Sequence, residues 1–295
     1  MRFEPPSAAR DADQGADAER VFAGVKGRRR FLAALLGGAA ALGGLAYFNW
    51  SRRTAEKREL AKERRSAIES IPRLKTAGLI QQLGMNGFLD YWNHEILSRL
   101  KRARFPLDAL QTEIVQRGSI FRPAATADML ETLHRRVGTE IPPTLASLLR
   151  ISNGVSGIID DAGAKFDFSP APEIAWLHEQ DPQLVEIWTR HASHPPDGEY
   201  FQYGAAQDVI TIRTEYLKKM IAVSPVVDGG VYLLNPAVRF ETGELEAWDF
   251  SVKYPGAKRY QSLATLIEEH CSGSCWSLDY WSISHGRENE RSTRL

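Results

Sequence analysis

The stretch TGELEAWDFSVKYPGAKRYQSL, Thr242 to Leu263, packs Glu244, Glu246, Asp249, Lys253, Lys258 and Arg259 around Trp248 and two tyrosines in 22 residues. Two carboxylates that close together can serve as acid and base when their surroundings pull their proton affinities apart. On a strand, Glu244 and Glu246 sit two apart and are expected to share one face with Trp248, Leu245, Ala247 and Asp249 taking the other. The same spacing also suits a solvated strand face. Trp248 and Tyr260 suit either a packed core or the anchors of a binding cleft with a charged rim.

Other chemistry is thinly represented. The seven histidines are scattered, and His191 and His194 flank a proline-rich loop without a carboxylate cluster at ligand spacing. His270, Cys271 and Cys275 lie together, but three residues at that loose spacing make a poor zinc site. In an oxidising compartment Cys271 and Cys275 can close a small disulfide loop through Gly273; in a reducing one they stay thiols. No glycine-rich phosphate loop and no nucleophile motif appear, so we expect no catalytic residues, no metal and no cofactor. Lys plus Arg and Asp plus Glu balance at 37 each, which excludes a strongly basic nucleic-acid binder. Two cysteines are too few for a disulfide scaffold.

The elements that must position these residues follow a graded organisation. Residues 1–27 read as a disordered tail, because residues 4 to 20 hold no aromatic or large aliphatic side chain. Residues 28–51 read as a transmembrane anchor: no charge occurs from Phe31 to Ser51, 21 residues, and a bilayer core needs about 20. Tyr47, Phe48 and Trp50 stand where interfacial aromatics belong. Arg29-Arg30 before Phe31-Leu32 also fits a twin-arginine signal kept as an anchor. Basic residues on both flanks leave the side of the membrane open. Residues 52–119 read as a helical juxtamembrane region, with Phe88, Tyr91, Trp92, Ile96 and Leu100 on one apolar helix face.

After Pro123 the pattern is that of a compact α+β domain. Thr126 is expected to cap a helix that Gly138 stops. Pro142-Pro143 opens a second helix that ends at Asn153-Gly154. Gly157 to Phe168 should be strand and turn. Residues 172 to 191 read as helix broken at Asp181-Pro182. Strands are expected at Val209 to Ile212, Ile221 to Val223, Val231 to Leu234 and Leu245 to Phe250, with a last helix from about Gln261 to His270.

The order of these pieces resembles the SUKH superfamily, the Smi/Knr-like domain, over residues 120–270. The likeness rests on Val137-Gly138, Ile141-Pro142 and Asn153-Gly154. Downstream it rests on Leu234-Asn235-Pro236, Gly243-Glu244-Leu245-Glu246-Ala247-Trp248, Tyr254-Pro255-Gly256, Arg259-Tyr260 and Ser262-Leu263. Residues 271–295, including the aromatic run CWSLDYWSISH, lie outside it as a C-terminal tail. The resemblance implies a mostly antiparallel sheet flanked by helices and no catalytic machinery. It also implies a role in binding protein, either neutralising a toxin as an immunity protein or serving as a cell-envelope scaffold; an unrecognised hydrolase is the remaining alternative. The candidate partner-binding residues are Trp248, Glu244, Glu246, Tyr260, Arg259 and Asn153.

Overall fold

The computed structural model describes residues 54, 57–159, 165–190 and 193–292. The chain divides into two compact units, residues 1–66 and 67–295. In the first, residues 57–66 are helical. The expected tail and membrane span lie outside the described residues. Among the described residues no helix is long and apolar enough to cross a membrane.

The second unit is α+β. Its helices are α1 (Leu79–Lys101), α2 (Ala109–Arg117), α3 (Ala127–Val137), α4 (Pro143–Ile151), α5 (Leu177–Gln180), α6 (Pro182–Thr189), α7 (Asp197–Tyr200) and α8 (Leu263–Ser292). Val155–Ile159 (β1) and Lys165–Phe168 (β2) form an antiparallel pair. The main sheet runs β3 (Ala175–Trp176), β4 (Ile221–Ala222), β5 (Gly230–Arg239), β6 (Leu245–Ser251) and β7 (Gly256–Tyr260), antiparallel throughout.

Strand alternation sends side chains into two separate cores. Tyr232, Leu234, Leu245, Ala247 and Tyr260 join Phe88, Trp92, Leu148 and Ile267 of α1, α4 and α8. Val231, Leu233, Trp248, Phe250 and Ala257 join Leu177, Leu184, Tyr200 and Leu217 on the opposite side. Burial on both faces explains why the strands read as nearly continuous apolar runs.

The helix ends follow the sequence. Thr126 accepts a hydrogen bond from the Met129 amide at 3.2 Å, and Gly138 ends α3 in the left-handed region at φ 59°. The break at Asp181-Pro182 is real, with the Asp181 carboxylate accepting from the Leu184 amide.

Three expectations are corrected. The segment Val209 to Ile212 is not a strand: after the Val209 carbonyl accepts from the Ala257 amide, the Thr211 amide bonds to the Asp208 carbonyl and the chain turns away. Strand β7, read from sequence only as a turn and an Arg-Tyr pair, occupies that sheet edge instead. The contact demands glycine at 256, where a Cβ would lie 1.9 Å from the Val209 oxygen. Second, α8 does not stop at His270 but runs to Ser292, and Cys271, Cys275 and Leu278 are buried in the first core. A helix through residues 271–275 replaces the disulfide loop, and both cysteines are free. Hydrogen bonding between the two thiols and burial push the Cys271 thiol up, so it stays protonated and inert. Third, the stretch 73–119 of the expected helical juxtamembrane region belongs to the domain itself. Phe88, Trp92 and Ile96 are fully buried in the same core as α8. The N-terminus of α1 even takes its cap from α8: the Glu268 carboxylate accepts from the Gly78 and Ile80 amides at 2.9 and 2.8 Å. Boundaries at 120 and 270 would therefore cut through one hydrophobic cluster.

A fragment limited to residues 120–270 should show no cooperative melt by circular dichroism, whereas 67–292 should melt in one transition. Each Leu- or Phe-sized loss from a core costs about 2–5 kcal/mol, and several at once exceed the about 5–15 kcal/mol that holds a domain together.

Candidate functional site

Glu246 is at the centre of the sheet's second face and has no solvent exposure. Strand β6 aims it beside Trp248, whose indole Nε1 donates to Oε2 at 2.8 Å. The Tyr200 hydroxyl donates to the same oxygen at 2.5 Å and the Asn235 amide at 2.9 Å. Tyr203 donates to Oε1 at 2.9 Å. Asn235 is held for this by a bulge: the register jumps between Asn235 and Arg239, where Pro236 cannot donate to the ladder.

Arg259, on the neighbouring strand, is the counter-charge, with one guanidinium nitrogen 3.6 Å from Glu246 Oε1 and no exposed side-chain surface. It donates to the Tyr200 carbonyl, reaches the Gln202 carbonyl at 3.4 Å, and lies over the Tyr200 ring at 4.2 Å. The Gln207 side chain then completes the sheet edge like a missing strand. Its oxygen accepts from the Arg259 amide at 2.7 Å, and its nitrogen donates to the Arg259 carbonyl at 3.0 Å. Burial, then the Glu246 charge, then the hydrogen bond to Glu246 push the Tyr200 and Tyr203 phenols upward, so both remain neutral donors.

This constellation ties β5, β6 and β7 to the segment around Tyr200. A carboxylate offers about four acceptor positions. Tyr200, Asn235 and Trp248 converge on Oε2, Tyr203 takes Oε1, and Arg259 stands 3.6 Å from Oε1 as the counter-charge. A general base needs a lone pair within reach of a substrate proton; Glu246 presents none to solvent.

Nor does the structure bring the two glutamates together. Glu244 precedes β6, in a tight turn closed by Gly243 at φ 82°, so strand alternation does not reach it. It turns to the other core and caps α4, accepting from the Thr144 amide at 2.8 Å and its hydroxyl at 2.7 Å. Both glutamates are buried, which corrects the solvated-face reading.

Arg259 and Tyr260 likewise part across the sheet, Tyr260 entering the first core. Burial and the nearby Glu269 and Asp249 charges raise its phenol. Asn153 is elsewhere, accepting from the Ala171 amide at 2.7 Å and donating to Met129 sulfur at 3.6 Å, so that it ties the end of α4 to a loop. Trp248 is core, as one of its two sequence readings held.

His270 is packed at right angles to Trp92 and Phe168, its Nδ1 2.7 Å from the Tyr232 hydroxyl. His191 lies outside the described residues. Among the described residues no three His, Cys, Asp or Glu side chains gather as for a metal. Tyr200, Tyr203 and Gln207 were missed in the sequence reading, since nothing local in EYFQYGAAQ marks side chains that close on a strand some 40 residues later. The Asn235-Pro236 pair did carry a signal, a proline inside an apolar strand.

No protein-family model matches the chain. No curated protein is significantly similar to it either.

Removing one partner of a buried ion pair costs about 3–5 kcal/mol, and truncating a buried Trp costs about the same. Glu246→Ala and Trp248→Ala should each lower the urea-unfolding free energy by about 3–5 kcal/mol. Stability should also fall with alkali. Tyr200, Tyr203 and Tyr260 have folded-state pKa values raised above the unfolded value of about 10. Their contribution is complete below pH about 10 and is lost as the pH climbs from there toward the folded values. Absorbance at the tyrosinate band should show these three ionising only with unfolding.

Proposed function

We propose that this chain is a non-enzymatic, membrane-tethered protein-binding domain of the Smi/Knr-like kind, acting as an immunity-type protein that neutralises a toxin by direct binding. The observation that carries the reading is the complete burial of Glu246 beneath four donors. It weighs against the strongest catalytic candidate and supports a framework that presents surface to a partner. The motifs that carry the family resemblance support this in a second way. Gly243-Glu244 caps a helix, Asn153 fastens a loop, and Gly256 seats a crossing segment; these are tasks of framework, and a framework frees the surface to vary with its partner. Residues 31–51 supply the tether, which raises the effective concentration of the domain at the membrane.

Affinity capture with the full chain, followed by size-exclusion chromatography, tests this. The expected result is a single protein retained at one-to-one stoichiometry, carrying a toxin-type activity that the captured complex lacks. Several substoichiometric partners would point to an envelope scaffold instead. Hydrolytic activity that disappears in Glu246→Gln while the fold is retained would overturn the reading.

A further inference from the structure

The segment 197–210, DGEYFQYGAAQDVI, has one helical turn and one 3-10 turn as its only regular structure. It is nevertheless anchored along its length. Arg213 donates to the Pro195 carbonyl at 3.1 and 3.0 Å and to Asp197. Arg259 holds the carbonyls of Tyr200 and Gln202, Glu246 receives both tyrosine hydroxyls, and Gln207 binds the backbone of β7. A loop tied down by buried charges arrives at a partner already ordered, which avoids the entropy that binding otherwise costs.

It also exposes apolar and acidic side chains close together along the chain. Phe201 is 42% and Ile210 58% exposed, and Ala205 and Ala206 between them are exposed as well. One side of Phe201 rests on the Tyr200 ring and on Arg213, so its orientation is fixed while it faces solvent. The only charged residues of the segment are Asp197, Glu199 and Asp208, all exposed, in a protein whose total charge is zero. Asp197 is paired with Arg213, so Glu199 and Asp208 carry the segment's uncompensated charge, and apolar side chains beside charge of one sign anchor a partner and select the opposite charge. The same charge repels phosphate-rich surfaces such as nucleic acid and anionic lipid.

We propose that residues 197–210 form the docking surface of this domain, and that its occupant is a protein segment bearing an apolar side chain flanked by lysine or arginine. This rests on the protein-binding reading above and names the surface and partner chemistry for it.

The test is selection of a randomised peptide library displayed on phage against the full chain held in detergent micelles. Enriched peptides should place Lys or Arg around an aromatic or aliphatic residue. Their affinity should fall about tenfold or more in Phe201→Ala and in the double variant Glu199→Lys, Asp208→Lys, and fall with added salt. The charge-reversal variant gives up only one exposed hydrogen bond, from the Ile210 amide to Asp208 at 3.2 Å. Glu199→Lys alone, which gives up no such bond, should keep the parent melting temperature and still weaken the peptides, so it reads the surface even where Phe201→Ala disturbs the Tyr200 ring. Peptides that bind the parent and both variants equally would place the interface elsewhere, overturning this proposal while sparing the protein-binding reading. Absence of any enriched peptide would count against both.

Discussion

One face of the main sheet depends on one interaction, a carboxylate on β6 and a guanidinium on the edge strand β7 buried together. An isolated charge moved into an interior costs several kcal/mol. Glu246 and Arg259 offset that cost through their partners: four donors on the carboxylate, and two carbonyls and an aromatic face on the guanidinium, whose Nε alone is left without a hydrogen bond. The dressing groups come from β5, β6 and the segment around Tyr200. Satisfying the pair therefore forces a piece of irregular chain to lie in one place against the sheet. A hydrophobic contact of similar size would hold the segment without fixing its register; directional bonds from two hydroxyls and two carbonyls fix it.

The same pair closes the sheet. An exposed edge strand invites pairing with another chain. Arg259 puts its side chain into the core and its backbone at the edge, where Gln207 satisfies the amide and the carbonyl together. Val209 takes the next amide, and Gly256 gives it room. Interior charge and edge protection thus come from one residue and one crossing loop. On the opposite face, α1 and α8 are coupled as tightly by Glu268 capping α1, which is why a 30-residue terminal helix belongs to the domain and is no appendage.

How much of this was legible in the sequence follows from the range of each interaction. Capping by Thr126, the Gly138 stop and the apolar face of α1 are local, set by residues three or four apart, and they were readable. The burial of strands on both sides was half visible, as apolar runs without clean alternation. The long-range pieces were not readable. Glu244 and Glu246 share a spacing of two, yet a tight turn between them and the preceding strand sends one to each core. Nothing within reach of Tyr200, Tyr203 or Gln207 in the sequence marks the strand they meet. Charged residues near aromatics look alike whether they are solvated or buried, and here the difference lies entirely in donors supplied from distant positions. The reading of 271–295 as a tail failed for a related reason: its buried positions are Cys, Ser and Leu at helical spacing, which composition alone does not separate from a polar helix end.

The central claim is that Glu246 and Arg259 hold the segment around Tyr200 against the sheet. Amide hydrogen exchange of Glu246→Gln beside the parent protein tests it most directly. The account predicts that protection at Tyr200, Phe201 and Ala257, whose amides bond within or to that segment, falls about tenfold or more relative to amides of α1 and α8 around Trp92 and Ile267. Equal protection at all of these positions in both proteins would contradict it, because the segment would then be held by packing alone.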